Sequence, residues 1–143
     1  MPVSSPKPTL LVIEDNAVTI ATVRKVIKSN RGAAIELITC KNGKEGIEAA
    51  RRLKPDLVLL DLVMPDFNGE YFLREQARDP DLADVPVLLF TGLTVFEVSH
   101  IQVAYPAIKA IVQKRTIPTK LLEEISPFLK SGYRARIQSE QGG

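Results

Sequence analysis

Cysteine occurs once in this chain of 143 residues, at Cys40. A lone thiol excludes an internal disulfide and any thiolate zinc cage, and a chain without disulfides suits a reducing cytoplasm. An excess of one charge is missing as well: 19 Lys and Arg against 17 Asp and Glu leave a formal net charge of +2. That balance supplies none of the strong positive field on which nonspecific nucleic-acid binding rests, so no direct nucleic-acid contact is expected. No apolar run approaches the roughly 20 residues that span a bilayer, which argues against membrane insertion by a helix. Pro2, Pro6 and Pro8 stand where a signal peptide would need a continuous apolar stretch, so the first eight residues read as a flexible lead-in. Internal repeats and low-complexity tracts are absent. So is a Gly-Lys-Ser/Thr phosphate loop after the first apolar run, which disfavours a nucleotide hydrolase.

What the chain does have is a series of short aliphatic runs that end on polar residues. Leu10-Leu11-Val12-Ile13 precedes Glu14-Asp15, Leu57-Val58-Leu59-Leu60 precedes Asp61, and Ala110-Ile111-Val112 leads to Lys114. Four or so aliphatic residues without polar alternation, bounded by turn residues, are what a parallel strand covered on both faces requires. With 45% hydrophobic residues the chain is long enough for one ordinary core and too short for two.

Between the runs the apolar spacing changes to that of helices. Asn16 is placed to cap a helix carrying Ala17, Ile20, Val23 and Ile27 on one side, with Arg24, Lys25 and Lys28 toward solvent. Residues 34–39 read as a second strand. Asn42-Gly43 opens a helix with Ile47, Ala50 and Leu53, which Pro55 stops. Met64-Pro65 and Asn68-Gly69 lead into a third helix with Tyr71, Phe72 and Leu73, closed near Pro80. Residues 87–90 form strand four, followed by Thr91-Gly92. A helix is expected between Leu93 and Tyr105, although Val95, Val98, Ile101 and Val103 give a poor pattern. Strand five spans about 108–112, and a last helix from Pro118 lines up Leu121, Leu122, Ile125 and Leu129, with Pro127 as a kink. Residues 131–143 read as a frayed tail or the start of a linker. Five strands alternating with five helices predict a doubly wound α/β fold with a five-stranded parallel sheet.

Parallel strands bring their C-terminal ends to one side of a sheet, so Glu14, Asp15, Asp61, Thr91 and Lys114 should converge there. Three carboxylates in a partly buried crevice repel one another unless a cation sits among them. Oxygen ligands with room for water and a phosphate favour Mg²⁺ over a caged Ca²⁺. A carboxylate beside such an ion can attack a phosphoryl group and form an acyl phosphate. Lys114 would then place a point charge on the transferred oxygens, the Thr91 hydroxyl would donate to one of them, and Gly92 would leave them space.

Taken in order, these residues resemble the receiver domains of two-component response regulators. The likeness runs from about Pro8 to Lys130 and is most specific in Asp61-Leu62-Val63-Met64-Pro65-Asp66-Phe67-Asn68-Gly69. It implies a flavodoxin-like three-layer sandwich over residues 9–130. It also implies that Asp61 takes a phosphoryl group from a histidine kinase or a histidine phosphotransfer protein. Asp15, Asp61 and the backbone carbonyl of Val63 would bind Mg²⁺, with Glu14 in its shell, and Thr91 and Lys114 would assist the transfer. Signalling would pass to a downstream protein through the face made by the fourth helix, fifth strand and fifth helix. Such a domain is no enzyme beyond its own phosphorylation and slow dephosphorylation. A phosphohydrolase would need an acid/base two residues after the nucleophile, where Val63 stands.

The chain departs from that pattern in three places. Arg115 follows the lysine where the family usually has a proline after a cis bond. A cis bond before arginine would cost about 2.5–4 kcal/mol, so a loop of another shape is expected. Ile111 occupies the position of the switch aromatic, for which Tyr105 is a candidate substitute. The segment 93–106 is unusually apolar, as partner surfaces often are. These departures suggest an alternative to the phosphoacceptor, a pseudo-receiver that serves as a constitutive protein-interaction scaffold. Val63 and Leu93 flank the expected path of the hydrolytic water and cannot orient it, which predicts a long-lived acyl phosphate.

Each residue also has a plainer reading. Asp61 alone could cap a helix, Glu14-Asp15 could be a solvated turn, Lys114 a surface lysine and Thr91 a strand-end hydroxyl bonded to backbone. His100 reads as a surface or structural histidine, Cys40 as a small core residue, and Arg51-Arg52, Lys130, Arg134 and Arg136 as solvated helix ends.

Overall fold

The computed structural model describes residues 7–30 and 34–142, so most of the expected N-terminal lead-in lies outside the described residues. The aliphatic runs form β1 (Thr9–Ile13), β2 (Glu36–Cys40), β3 (Leu57–Leu60), β4 (Val87–Thr91) and β5 (Ile108–Gln113). The amphipathic segments between them form α1 (Ala17–Lys28), α2 (Gly43–Leu53), α3 (Gly69–Arg78), α4 (Val95–Ala104) and α5 (Ile117–Gly142). A single 3₁₀ turn at Lys114–Thr116 precedes α5. All ladders are parallel, in the order β2-β1-β3-β4-β5. The result is the doubly wound, flavodoxin-like three-layer sandwich that the alternation predicts.

The period of two along each strand divides the core into two halves. Leu11, Ile13, Val58, Leu60, Val87 and Leu89 face Ile47, Phe72, Leu73 and Val98 from α2, α3 and α4. The intervening Leu10, Val12, Leu57, Leu59, Leu88 and Phe90 face Val23 and Ile27 of α1 and Leu121, Ile125 and Leu129 of α5. β1, β3 and β4 are therefore buried along their whole length, which is why their sequences show no polar alternation.

Short polar side chains start four of the helices. Asn16, Asn42, Asn68 and Thr94 accept hydrogen bonds from the N–H groups of Thr19, Glu45, Tyr71 and Glu97 at 2.9–3.1 Å. Each cap satisfies a donor that the first turn leaves unpaired. α2 ends on Lys54, which takes a left-handed conformation (φ 48°) just before Pro55.

One helix bears out its poor apolar pattern, and another runs longer than expected. α4 buries only Val98 and Ile101, while Val95, Phe96 and Val103 are 57, 89 and 83% exposed, so its apolar residues are spread around the helix rather than gathered on one face. α5 passes through Pro127 and continues as helix to Gly142, beyond the point where a tail was expected. Helix formers from Arg134 to Gln141 carry it past the isolated Gly132.

Candidate functional site

The strand order reverses between β1 and β3, and a parallel sheet opens a crevice beyond the C-terminal ends of the strands at such a point. Glu14 and Asp15 follow β1 there, and Asp61 follows β3, its N–H donating to the Ile13 carbonyl at 3.0 Å. Lys114 leaves the end of β5 and reaches across β4. Its Nζ passes 5.4 Å from the centre of the Phe90 ring and lies 2.6 Å from Glu14 Oε1 and 3.3 Å from Asp61 Oδ2. Four of the five residues singled out in the sequence are thus in one crevice. Thr91, also buried, ends β4 between them, and its Oγ1 accepts from Leu93 N–H at 2.9 Å.

The site's electrostatics follow from depth. Glu14 is fully buried and Asp61 nearly so, whereas Asp15 is exposed at the rim. Burial pushes the Glu14 carboxyl up to about 7, against the pull of Lys114 and of the Asn16 N–H that donates to Oε2 at 3.1 Å; the charge of Asp61 raises it further. Burial acts to lower Lys114, but the hydrogen bond to Glu14 and the charges of Asp61 and Glu14 outweigh it and hold the ammonium above its ordinary range. Glu14 Oε1 meets the Lys114 ammonium at 2.6 Å and no other partner among the described residues, which leaves this buried oxygen a lone pair to spare.

One carboxylate oxygen from each of Glu14, Asp15 and Asp61 lies within 4.8 Å of the others. Two unit charges at that distance repel by about 3–4 kcal/mol at an effective dielectric near 20, and a single lysine answers three of them. An all-oxygen donor set, one buried oxygen short of partners and an exposed third ligand fit a hard divalent cation with water in its remaining positions.

The loop that follows Asp61 is pressed against it. Val63 N–H donates to Asp61 Oδ1 at 3.2 Å, and a Cβ on Gly69 would lie 2.5 Å from the Asp61 carbonyl oxygen. No other residue fits at 69 without moving the backbone that carries Asp61. Gly92 is different, since a Cβ there would meet nothing within 4 Å. The space beside it is open, so nothing in the fold itself demands glycine there.

The receiver model of response regulators matches residues 10–126. The chain belongs to the response regulator receiver domain family. Among curated relatives of this receiver, the polar-differentiation response regulator DivK of Brucella anthropi is 24% identical over 120 residues, 84% of this chain and 94% of that protein. A protein-glutamate methylesterase/protein-glutamine glutaminase of Vibrio cholerae is 38% identical over 87 residues, 59% of this chain but only 22% of that protein. A CheY-like receiver domain protein from Methanospirillum hungatei shares the fold, with a TM-score of 0.75 at 19% identity over 90% of this chain and 98% of its own. No helix among the described residues of the receiver is long and apolar enough to cross a membrane.

At its departures from the family pattern this receiver behaves as follows. The described residues contain no cis peptide bond, and the proline-less segment after Lys114 closes as the 3₁₀ turn. Ile111 is half-buried beside Leu89 and packs on the core shared by Val98 and Ile101. Tyr105 cannot replace a switch aromatic, because it caps α4 before β5 begins and lies at the opposite end of the sheet, lining a groove with Leu73 and Gln76. His100 is exposed on α4, and Cys40 is buried, its thiol pushed up to about 11 first of all by burial. Arg51 does more than face solvent, since its Nε donates to Asp79 Oδ2 at 3.2 Å and joins α2 to the end of α3.

Sequence reasoning missed Gln113, whose Nε2 donates to the Leu93 carbonyl at 3.2 Å. Its only signal is a polar residue closing an apolar strand just before the lysine.

Proposed function

We propose that this receiver is a phosphoacceptor in which the Asp61 carboxylate takes a phosphoryl group from the phosphohistidine of a histidine kinase or histidine phosphotransfer protein. The observation that supports this most strongly is the convergence of Lys114 Nζ on both Glu14 and Asp61 beside the exposed Asp15. An ordinary helix cap or solvated turn needs no such arrangement.

In the transfer, an Asp61 oxygen bonds to phosphorus while the bond from phosphorus to the donor imidazole nitrogen breaks. The imidazole leaves with that electron pair and takes up a proton. Asp15, Asp61 and the Val63 carbonyl would hold Mg²⁺, with Glu14 behind them. When bound, the ion neutralises charge on the transferring oxygens and on the nucleophile. Lys114 loses part of its contact with Asp61 Oδ2 as that carboxylate becomes the acyl phosphate, and its ammonium turns to the phosphoryl oxygens. The Thr91 hydroxyl donates to another of them. Asp61 is oriented beforehand by the Val63 N–H and by its own N–H bond to Ile13.

The exposed apolar residues of α4, Val95, Phe96 and Val103, support a role for the face formed by α4, β5 and α5 in reading out the signal to a protein partner. A cytoplasmic location accords with this chemistry and with the single buried Cys40.

The test is incubation with Mg²⁺ and acetyl phosphate, followed by mass measurement of the intact chain. Wild type should gain one phosphoryl group and Asp61→Asn none. Equal behaviour of the two proteins would instead favour the constitutive scaffold suggested by Ile111 and Arg115.

A further inference from the structure

We propose that Gln113 is a positioning residue that couples the Thr91 hydroxyl to α4, through the peptide groups of Leu93, in a receiver whose position 111 cannot do so. The inference rests on the phosphoacceptor reading of Asp61.

Gln113 is the register partner of Thr91 on the neighbouring strand, so the two side chains stand beside each other at the end of the sheet. Leu93 joins them. Its N–H donates to Thr91 Oγ1 at 2.9 Å, and its carbonyl accepts from Gln113 Nε2 at 3.2 Å. The next residue, Thr94, is the N-cap of α4. A hydroxyl, one loop residue and a side-chain amide therefore connect the phosphorylation site to the first turn of α4 in four residues of chain.

The surroundings allow this connection to have two arrangements. A Thr91 hydroxyl that rotates toward a phosphoryl group on Asp61 carries its oxygen away from Leu93 N–H. Leu93 must then follow it or lose an acceptor, and following it draws the carbonyl away from Gln113. Space for the movement exists, because a cavity of about 320 Å³ lies between the two loops, lined by Gly92, Thr94, Val95, Gln113 and Arg115. α4 offers little resistance, being held by Val98 and Ile101 alone among its buried residues. Ile111 is half-buried against the core and has no polar atom, so it cannot exchange a hydrogen bond with the hydroxyl. A bistable element biased by the site is what coupling of this kind requires.

The experiment uses the full chain and the variants Gln113→Met and Gln113→Leu, which keep the bulk of the side chain and lack its N–H. Phosphoryl uptake from acetyl phosphate with Mg²⁺ is read by intact mass, and backbone amide signals are followed by NMR with and without the phosphodonor. Wild type should show phosphorylation-dependent shifts from Leu93 to Ile101. In either variant phosphoryl uptake should persist, while the signals across Val95–Ile101 already lie toward their phosphorylated positions without the donor, so that the donor-dependent shifts there shrink. A merely structural role for Gln113 would alter folding or uptake without separating the two readouts. Normal uptake with wild-type shifts in α4 in whichever variant folds overturns the coupling, as does an α4 that moves in no protein despite uptake. Absence of uptake by wild type removes the phosphoacceptor reading itself, and with it this inference.

Discussion

Glu14 shows what a single buried carboxyl does to a folded protein. Its ordinary value is 4.5, and burial, its largest cause, pushes it up to about 7. Between those values the folded state holds a proton that the unfolded state has released, so stability falls as pH rises. The contribution is complete below about 4.5 and gone above about 7. In the presence of a chelator, urea midpoints should therefore decline across that window, and Glu14→Gln should remove that part of the slope. On the proposed phosphoacceptor reading, the lifetime of the acyl phosphate rests on other residues. Val63 is 64% exposed and Leu93 is half-buried, both apolar where a hydrolytic water would approach Asp61. Val63→Asn should shorten the life of the acyl phosphate, as measured by loss of the phosphoryl mass after the donor is removed. The positions of Glu14, Asp15, Asp61, Thr91 and Lys114 were legible because each ends or follows an aliphatic run, and parallel strands align those ends. The depth of Glu14 and the reach of Gln113 were not legible, since both depend on neighbours supplied by other strands.

At the scale of elements, local chemistry was readable wherever caps and periodicity agreed. α1, α2 and α3 begin after the asparagines that the sequence marks, and Val23, Ile27, Ile47, Ala50, Phe72 and Leu73 are buried as their spacing predicts, whereas Ala17 and Leu53, expected on the same stripes, are exposed at the helix ends. α4 was hard to read because tertiary contacts bury only two of its apolar residues. The connection from α3 to β4 was unreadable for another reason, its dependence on one side chain. Gln76 is almost fully buried, and its Nε2 donates to the carbonyls of Leu82 and Val85 at 3.0 and 2.9 Å. Those bonds hold the turn that delivers the chain to β4, and hence to Thr91. Gln76→Ala leaves the Val85 carbonyl without its donor, while the Leu82 carbonyl keeps the Val85 N–H at 3.0 Å, and should cost about 1–3 kcal/mol of stability. Chemical denaturation measures it, and a loss within error would mean that water replaces the amide without penalty.

The whole molecule carries an electrostatic debt that a ligand can relieve. Glu14, Asp15 and Asp61 extend from two adjacent strands, and their repulsion opposes the same β1–β3 pairing that closes the core. Lys114 offsets part of it from β5, so the site spans most of the sheet and its occupancy acts on the stability of the fold as a unit. A cation that binds the folded chain alone stabilises it by RT ln(1 + [L]/Kd), about 2.7 kcal/mol at a hundredfold excess over Kd. Mg²⁺ should therefore raise the urea midpoint in a saturable manner, and a chelator should reverse the gain. Asp15→Asn removes an exposed ligand without burying anything new, so it should fold normally and show a much smaller gain. Na⁺ at matched ionic strength is the control, because general screening would stabilise wild type and Asp15→Asn alike. If Mg²⁺ and Na⁺ act equally on both proteins, the three carboxylates do not form a metal site, and Lys114 is then their sole counter-charge among the described residues.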